Sequence, residues 1–302
     1  MSTHIQVRAL QSNGIPLARE GQEIGRLVPT DPRRPMEELR EQFRVQGYLW
    51  LKGLLPRDEV LNFRRHYFTA YRDTGLLAEG SDPIEGIYSG IPIAPELNNR
   101  LWTEAARWPE YEAFCLSPAI VNFYEAFLAG AVHLLKRKII RYNTPGETSC
   151  TPGHYDLIYL RGGSDTVCSS WIPFSDTPVA MGGLVYLEGS DALGRRLEAE
   201  FSAKNVALSP EERISAYNKN MAAGGWIGKD LPALADLLGG RWLVADYEAG
   251  DMVVHSCYMI HAATQNSDPR GRMRLSTDIR YQRSSDAIDP RWNNDLFIGD
   301  NL

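Results

Sequence analysis

The stretch that decides the fold is Gly250-Asp251-Met252-Val253-Val254-His255-Ser256-Cys257-Tyr258-Met259-Ile260-His261. Gly250-Asp251 is a turn signal, the apolar run after it predicts a β-strand, and an imidazole stands at its far end. Upstream, the turn Thr151-Pro152-Gly153 leads into His154-Tyr155-Asp156, at the head of a second predicted strand, His154–Leu160. Residues i and i+2 of a strand point to one side, so His154 and Asp156 aim together and a further imidazole comes from elsewhere. Two imidazoles and one carboxylate can hold one face of an Fe(II) ion, and the positions left open are those oxygen chemistry needs. The spacing leaves two choices for the second imidazole, because His255 and His261 share one face of a regular strand.

Further strands are expected at Ala131–Tyr142, Thr166–Phe174, Gly183–Leu187, Trp242–Asp246 and Arg272–Gln282. Such a run, without intervening βαβ units, predicts a sandwich or jelly roll. The first 130 residues read differently. An irregular arm, with a short strand at Ile5–Leu10, precedes a helix at Met36–Gln46, a strand at Tyr48–Leu51 and a helix at Arg57–Arg72 opened by Pro56. Residues 96–129 are helical again. The chain is thus expected to be one domain of residues 1–302, mainly β with flanking helices (α+β). Residues 1–130 form the arm and helical part, 131–282 the β core and 283–302 a tail. Residues 191–240 interrupt the core as an insertion with a helix at Ser209–Met221. It serves either as a lid or substrate-selecting surface, or as a structural elaboration or dimer contact.

The 302 residues are 43% hydrophobic, enough for a sizeable core. A net charge of -6 argues against a nucleic-acid binder. No run is long and apolar enough for a membrane span. Four separate cysteines, Cys115, Cys150, Cys168 and Cys257, and a start without signal-peptide character predict a reduced, cytoplasmic protein. Arg272, eleven residues beyond His261, suits the two-pronged grip of a carboxylate, such as the far end of a 2-oxo acid chelating the iron. Arg274 lies on the same strand face and competes for that role.

With these residues in place, the chain resembles the phytanoyl-CoA dioxygenase-like, Fe(II)- and 2-oxoglutarate-dependent oxygenases. The resemblance runs from about Lys136 to Gln282 and implies a double-stranded β-helix, the cupin-like jelly roll. It implies that His154, Asp156 and His261 ligate iron, that Arg272 binds the 5-carboxylate of 2-oxoglutarate, and that Trp171 stands beside the cosubstrate. His255 is then a packed or supporting imidazole; His4, His66 and His133 lie outside the pattern. Gly182 to Ser190 matches the family's strand with a Gly-Ser turn, and Asn266 fits the turn after the distal histidine. Asp191 departs from it, where many members have His, and so does Ala263, where some offer a serine to the cosubstrate. Related halogenases replace the ligating carboxylate with a small residue; Asp156 therefore implies oxygenation or a related C–H oxidation.

The implied reaction consumes 2-oxoglutarate and O2 and oxidises a small organic substrate, by family analogy a specialised metabolite of natural-product biosynthesis. Tyr159, Arg161, Tyr186 and Tyr217 are the expected substrate contacts, and one of Lys136, Arg137, Lys138 and Arg141 is expected to line the pocket. A homodimer is compatible with the sequence. The competing functions are a noncatalytic jelly-roll metal- or ligand-binding protein and an acyl-CoA hydroxylase of the same family.

Overall fold

The computed structural model describes residues 10–209, 212 and 226–296. Four two-residue strands open the chain: β1 (Gln11–Ser12), β2 (Ile15–Pro16), β3 (Gly25–Arg26) and β4 (Pro29–Thr30). Helix α1 (Met36–Gln46), strand β5 (Tyr48–Leu51) and helix α2 (Arg57–Ala70) follow, as the sequence predicts. The long helical region divides into α3 (Pro95–Thr103), α4 (Pro109–Cys115) and α5 (Pro118–Leu128), each with proline in its first turn.

The β core comprises β6 (Val132–Leu134), β7 (Ile139–Asn143), β8 (Cys168–Pro173), β9 (Leu184–Leu187), β10 (Trp242–Val244), β11 (Met252–Ser256), β12 (His261–Ala263) and β13 (Arg274–Arg283). The helical turn α6 (Leu157–Leu160) and the helices α7 (Ser190–Lys204) and α8 (Leu231–Leu238) interrupt it. The larger sheet runs β4-β5-β11-β8-β13-β6, with β7 also on β13; the smaller runs β12-β9-β10-β3. This is the jelly-roll architecture, two mostly antiparallel sheets facing each other.

Strand alternation sorts the core into layers. Leu49, Leu51, Cys168, Ile172, Met252, Val254, Leu275 and Ile279 pack outward against α1 to α5. Their neighbours Tyr48, Trp50, Trp171 and Val253 turn inward, meeting Leu184, Tyr186, Leu243 and Ala245 of the smaller sheet. The outer face of the smaller sheet, with Val185, Leu187, Trp242 and Val244, is covered by Leu193 and Phe201 of α7 and Leu231 and Leu234 of α8. The described part of the 191–240 insertion is therefore a covering layer. The expected helix at Ser209–Met221 and the strand from Ile5 fall largely outside the described residues.

Three expectations about strands are corrected. Ala131–Tyr142 is two strands, β6 and β7, with residues 135–138 outside either. His154–Leu160 is a single bridge, His154 to His261, followed by α6; Asp156 already has helical dihedrals, φ -69° and ψ -29°. The Gly250–His261 stretch is also two strands in two sheets. β11 belongs to the larger sheet, and the chain turns over Cys257–Ile260 into β12 of the smaller. Gly194 lets α7 approach that turn: a Cβ there would stand 2.0 Å from the Tyr258 carbonyl oxygen.

The Gly250-Asp251 turn is fixed by chemistry as well as conformation. Gly250 has φ +105°, and a Cβ there would meet the Leu55 carbonyl oxygen at 2.7 Å. Buried Asp251 accepts hydrogen bonds from Trp50 Nε1 (2.9 Å), Lys52 Nζ (2.8 Å) and the backbone N–H of Gly53 and Glu248. Asp251→Ala strands these donors and is expected to lower unfolding free energy by about 2 kcal/mol or more. Urea denaturation checks this; a loss below about 0.5 kcal/mol, the range of a neutral surface change, contradicts it.

Candidate active site

His154 reaches the site from the turn after Pro152, Asp156 from the start of α6, and His261 from the first residue of β12. Backbone hydrogen bonds in both directions between residues 154 and 261, at 3.0 and 2.9 Å, fasten the two histidines side by side. The ligating atoms of His154, Asp156 and His261 all lie within 4.8 Å of one another, and all three residues are buried. His154 Nε2 is 3.5 Å and His261 Nε2 3.7 Å from Asp156 Oδ1.

The other ring nitrogens show what those Nε2 atoms carry. His154 Nδ1 lies 2.9 Å from the Pro152 carbonyl oxygen, and His261 Nδ1 2.9 Å from that of Met259. A carbonyl only accepts, so each Nδ1 holds a proton, and in its neutral form each ring directs an Nε2 lone pair inward. Burial, then the neighbouring His154 and His255, hold the His261 imidazole well below its usual pKa, favouring that neutral form. Two lone pairs and a carboxylate oxygen thus converge, an arrangement that a divalent cation satisfies and the donor set of a facial iron site. The residues present fit the metal.

The two oxygens of Asp156 are divided between tasks. Oδ2 accepts from Ser169 Oγ of β8 and from Arg280 Nη2 of β13 at 3.3 Å, while Oδ1 faces the histidines. Burial opposes ionisation here, but it is outweighed, first of all by the Arg280 guanidinium, and the carboxyl is held well below its usual range. His255 stands behind, with Nδ1 3.1 Å from the Tyr186 hydroxyl and Nε2 3.5 Å from Oδ2. It is outside the three-residue cluster.

The turn carrying Asp156 is clamped by the insertion. Glu198 of α7 accepts from Arg161 Nε (2.5 Å), Arg161 Nη2 (2.6 Å) and the Tyr155 hydroxyl (3.0 Å). Arg161 also lies over Phe201, 4.1 Å from the ring centroid. Arg161, an expected substrate contact, is therefore a buried strut.

A cavity of about 870 Å³ lies beside the cluster: His154, Asp156 and His261 are not on its lining, but the flanking Pro152, Tyr159 and Ala263 are, together with Arg141, Arg274 and Trp102. Tyr159 lies edge-on to His154, with ring centroids 5.8 Å apart. Arg272 is not on the cavity lining. It precedes β13 and pairs through Nε (3.0 Å) and Nη2 (2.7 Å) with Asp268. Arg274 is on the lining, buried, with one bond to Asn143 Oδ1 at 2.5 Å and with Nε and Nη1 in no hydrogen bond. Burial lowers its pKa to about 10, which leaves it charged near neutrality.

The remaining expected residues separate as clearly. Trp171 is buried between the sheets against Tyr247 (4.7 Å), away from the cavity lining. Tyr186 is fully buried and stacks on Tyr48; Tyr217 is outside the described residues. Of the basic quartet, Lys136 pairs with Asp295, Arg137 lies over Trp292 and Lys138 pairs with Glu112, leaving Arg141 on the cavity. Asp191 accepts from Ser256 Oγ and pairs with Arg195 at 2.8 Å, joining α7 to the end of β11. Asn266 holds its turn through the carbonyls of Asn143 and Arg272. Ser169, Arg280 and Glu198 were not singled out from the sequence; only Arg280 carried a signal, sharing the strand parity of Arg274.

Fold and site together define the class, a non-haem iron, 2-oxoglutarate-dependent oxygenase. The chain belongs to the phytanoyl-CoA dioxygenase (PhyH) family, whose sequence profile matches residues 109–274, more than half its length. It is 24% identical over 257 residues to 1-deoxypentalenic acid 11-beta-hydroxylase of Streptomyces exfoliatus, covering 82% of each protein. Its fold matches the epimerase SnoN, crystallised with Fe3+, alpha-ketoglutarate and nogalamycin RO (TM-score 0.56, 18% identity, 86% of this chain and 88% of that one). It also matches the carbocyclase SnoK from nogalamycin biosynthesis (TM-score 0.55, 19% identity, 91% and 92%).

If the three-residue cluster is the metal site, anaerobically loaded wild-type protein retains one Fe(II) per chain after desalting. Asp156→Ala and His261→Ala lose it, and His255→Ala keeps it, as metal analysis will read. Loss in His255→Ala with retention in His261→Ala reverses the ligand assignment.

Proposed function

We propose that this chain binds Fe(II) through His154 Nε2, Asp156 Oδ1 and His261 Nε2, uses 2-oxoglutarate and O2, and oxidises a C–H bond of a small specialised metabolite. The observation that carries this reading is the convergence of the three buried acceptor residues, next to a cavity that is lined by their neighbours Pro152 and Ala263 and by the Arg274 side chain. When bound, iron with 2-oxoglutarate and O2 supplies the oxidising chemistry, releasing succinate and CO2.

The protein's part is binding and orientation. Arg274 takes the role first assigned to Arg272, because its Nε–H and Nη1–H lack partners and it lines the cavity, whereas Asp268 already occupies Arg272. A carboxylate with two acceptor oxygens supplies what those donors lack. Ser169 and Arg280 hold Asp156 by Oδ2 and keep Oδ1 presented to the metal. Tyr159, Trp102 and Trp226 place aromatic rings along a cavity whose other lining is largely polar, suited to a substrate with both apolar and polar groups. The metabolite class is supported by the relatives, whose names place them on 1-deoxypentalenic acid and in nogalamycin biosynthesis.

Succinate release by Fe(II)-reconstituted protein in the presence of O2 tests the activity, and its absence with and without a metabolite panel counts against an enzyme. Arg274→Gln is expected to raise the KM for 2-oxoglutarate roughly tenfold or more, the worth of a charge-assisted hydrogen bond. Arg272→Gln is expected to leave it within about twofold, in the range of a neutral surface change. The opposite pattern returns the cosubstrate to Arg272.

A further inference from the structure

We propose that the Tyr186 hydroxyl fixes the tautomer of His255, so that His255 turns an N–H to Asp156 and is withheld from the metal; Tyr186 and His255 are then positioning residues. This rests on the assignment of His154, Asp156 and His261 as the ligands. Distance alone does not set His255 apart. Its ring centroid is 4.4 Å from that of His261, against 4.2 Å for His154. Its Nε2 lies 3.5 Å from Asp156 Oδ2, the same separation that His154 Nε2 keeps from Oδ1. A third imidazole thus crowds the cluster, and a metal that took it would keep one open position fewer for oxygen chemistry.

The difference lies in the proton. His154 and His261 turn Nδ1 to backbone carbonyls, which only accept, whereas His255 turns Nδ1 to the Tyr186 hydroxyl at 3.1 Å. Tyr186 is fully buried, and this is the one hydrogen bond of its hydroxyl among the described residues. If Nδ1–H donated, the buried O–H would have no acceptor, and a bare Nε2 lone pair would face a carboxylate oxygen. Both costs vanish when the hydroxyl donates and His255 carries its hydrogen on Nε2. That nitrogen is buried with no hydrogen-bond partner of its own, so Oδ2 at 3.5 Å is a long electrostatic contact that the N–H favours and a lone pair would oppose. The sheet register supplies the rest. His255 of β11, Ser169 of β8 and Arg280 of β13 are neighbours in one row across three adjacent strands, and all three turn toward Oδ2. A row of O–H and N–H groups therefore faces one oxygen of Asp156, and the lone pairs of His154 and His261 face the other.

The tautomer is read first in metal-free protein, by long-range proton–nitrogen NMR correlation of the histidine rings, with His255 assigned by its loss in His255→Gln. His255 is expected to carry its hydrogen on Nε2, and His154 and His261 theirs on Nδ1. Tyr186→Phe should raise the share of the His255 Nδ1–H form roughly fivefold or more, the worth of one ordinary hydrogen bond. Co(II) then reports the ligands, because nitrogen in place of water shifts its d–d absorption to shorter wavelength. Tyr186→Phe should show that shift relative to wild type. Adding His255→Gln to Tyr186→Phe should abolish it, a rescue that a general packing defect would not give. A His255 hydrogen on Nδ1 in wild-type protein overturns the proposal. So does a tautomer share or a Co(II) spectrum unchanged in Tyr186→Phe, or a shift that survives His255→Gln. Metal kept by His261→Ala and lost by His255→Ala would instead defeat the ligand assignment beneath it, whatever Tyr186→Phe does.

Discussion

The charge on Asp156 is the constraint around which this end of the molecule is built. An ionised carboxylate taken out of water costs several kcal/mol unless it is paired and hydrogen-bonded. Here the compensation comes from the sheet itself, which places Ser169 and Arg280 on the inward faces of β8 and β13, where apolar side chains would otherwise pack. Arg280 in turn lies 4.5 Å from the Trp292 ring centroid, and the Trp292 indole donates to the Tyr159 carbonyl. One buried charge thereby ties two strands, the segment after β13 and the turn bearing Asp156 into a single unit. Because these partners occupy Oδ2, Oδ1 is left facing the two histidines.

The same logic explains why an insertion on the far side of the smaller sheet bears on the site. Helix α7 covers that sheet with Leu193 and Phe201, and from the same face sends Glu198 to Tyr155 and Arg161. Tyr155 stands between His154 and Asp156. Packing by Leu193 and Phe201 and the Glu198 pair with Arg161 hold the turn bearing His154 and Asp156 against β12, where His261 begins.

Much of this was legible in the sequence because it is local. Proline at Pro56 and apolar spacing in Met36–Gln46 mark helices whose limits the structure reproduces to within a few residues, and the β-rich runs after residue 131 mark the core, although Ala131–Tyr142 and Gly250–His261 each divide and His154–Leu160 becomes a helical turn. The grouping of His154, Asp156 and His261 was likewise readable, although the reason first given for it fails. Asp156 reaches the cluster through a helical turn rather than along a strand, and His255 and His261 lie in different sheets. Arg272 and Arg274 have equal parity, so sequence could not tell which one sits inside β13. The ion pair with Asp268 and the bonds at the strand's start decide that. Glu198 and Ser169 were invisible for a plainer reason: their importance is a contact across the fold, with no local pattern to announce it.

A crystal structure of the protein soaked anaerobically with Fe(II) and 2-oxoglutarate tests the central claim most directly. The account predicts metal density bonded to His154 Nε2, Asp156 Oδ1 and His261 Nε2, with Asp156 Oδ2 still held by Ser169 and Arg280, and the distal carboxylate of 2-oxoglutarate on Arg274. Metal bonded to His255 in place of His261, or a carboxylate on Arg272 with its Asp268 pair broken, would contradict it.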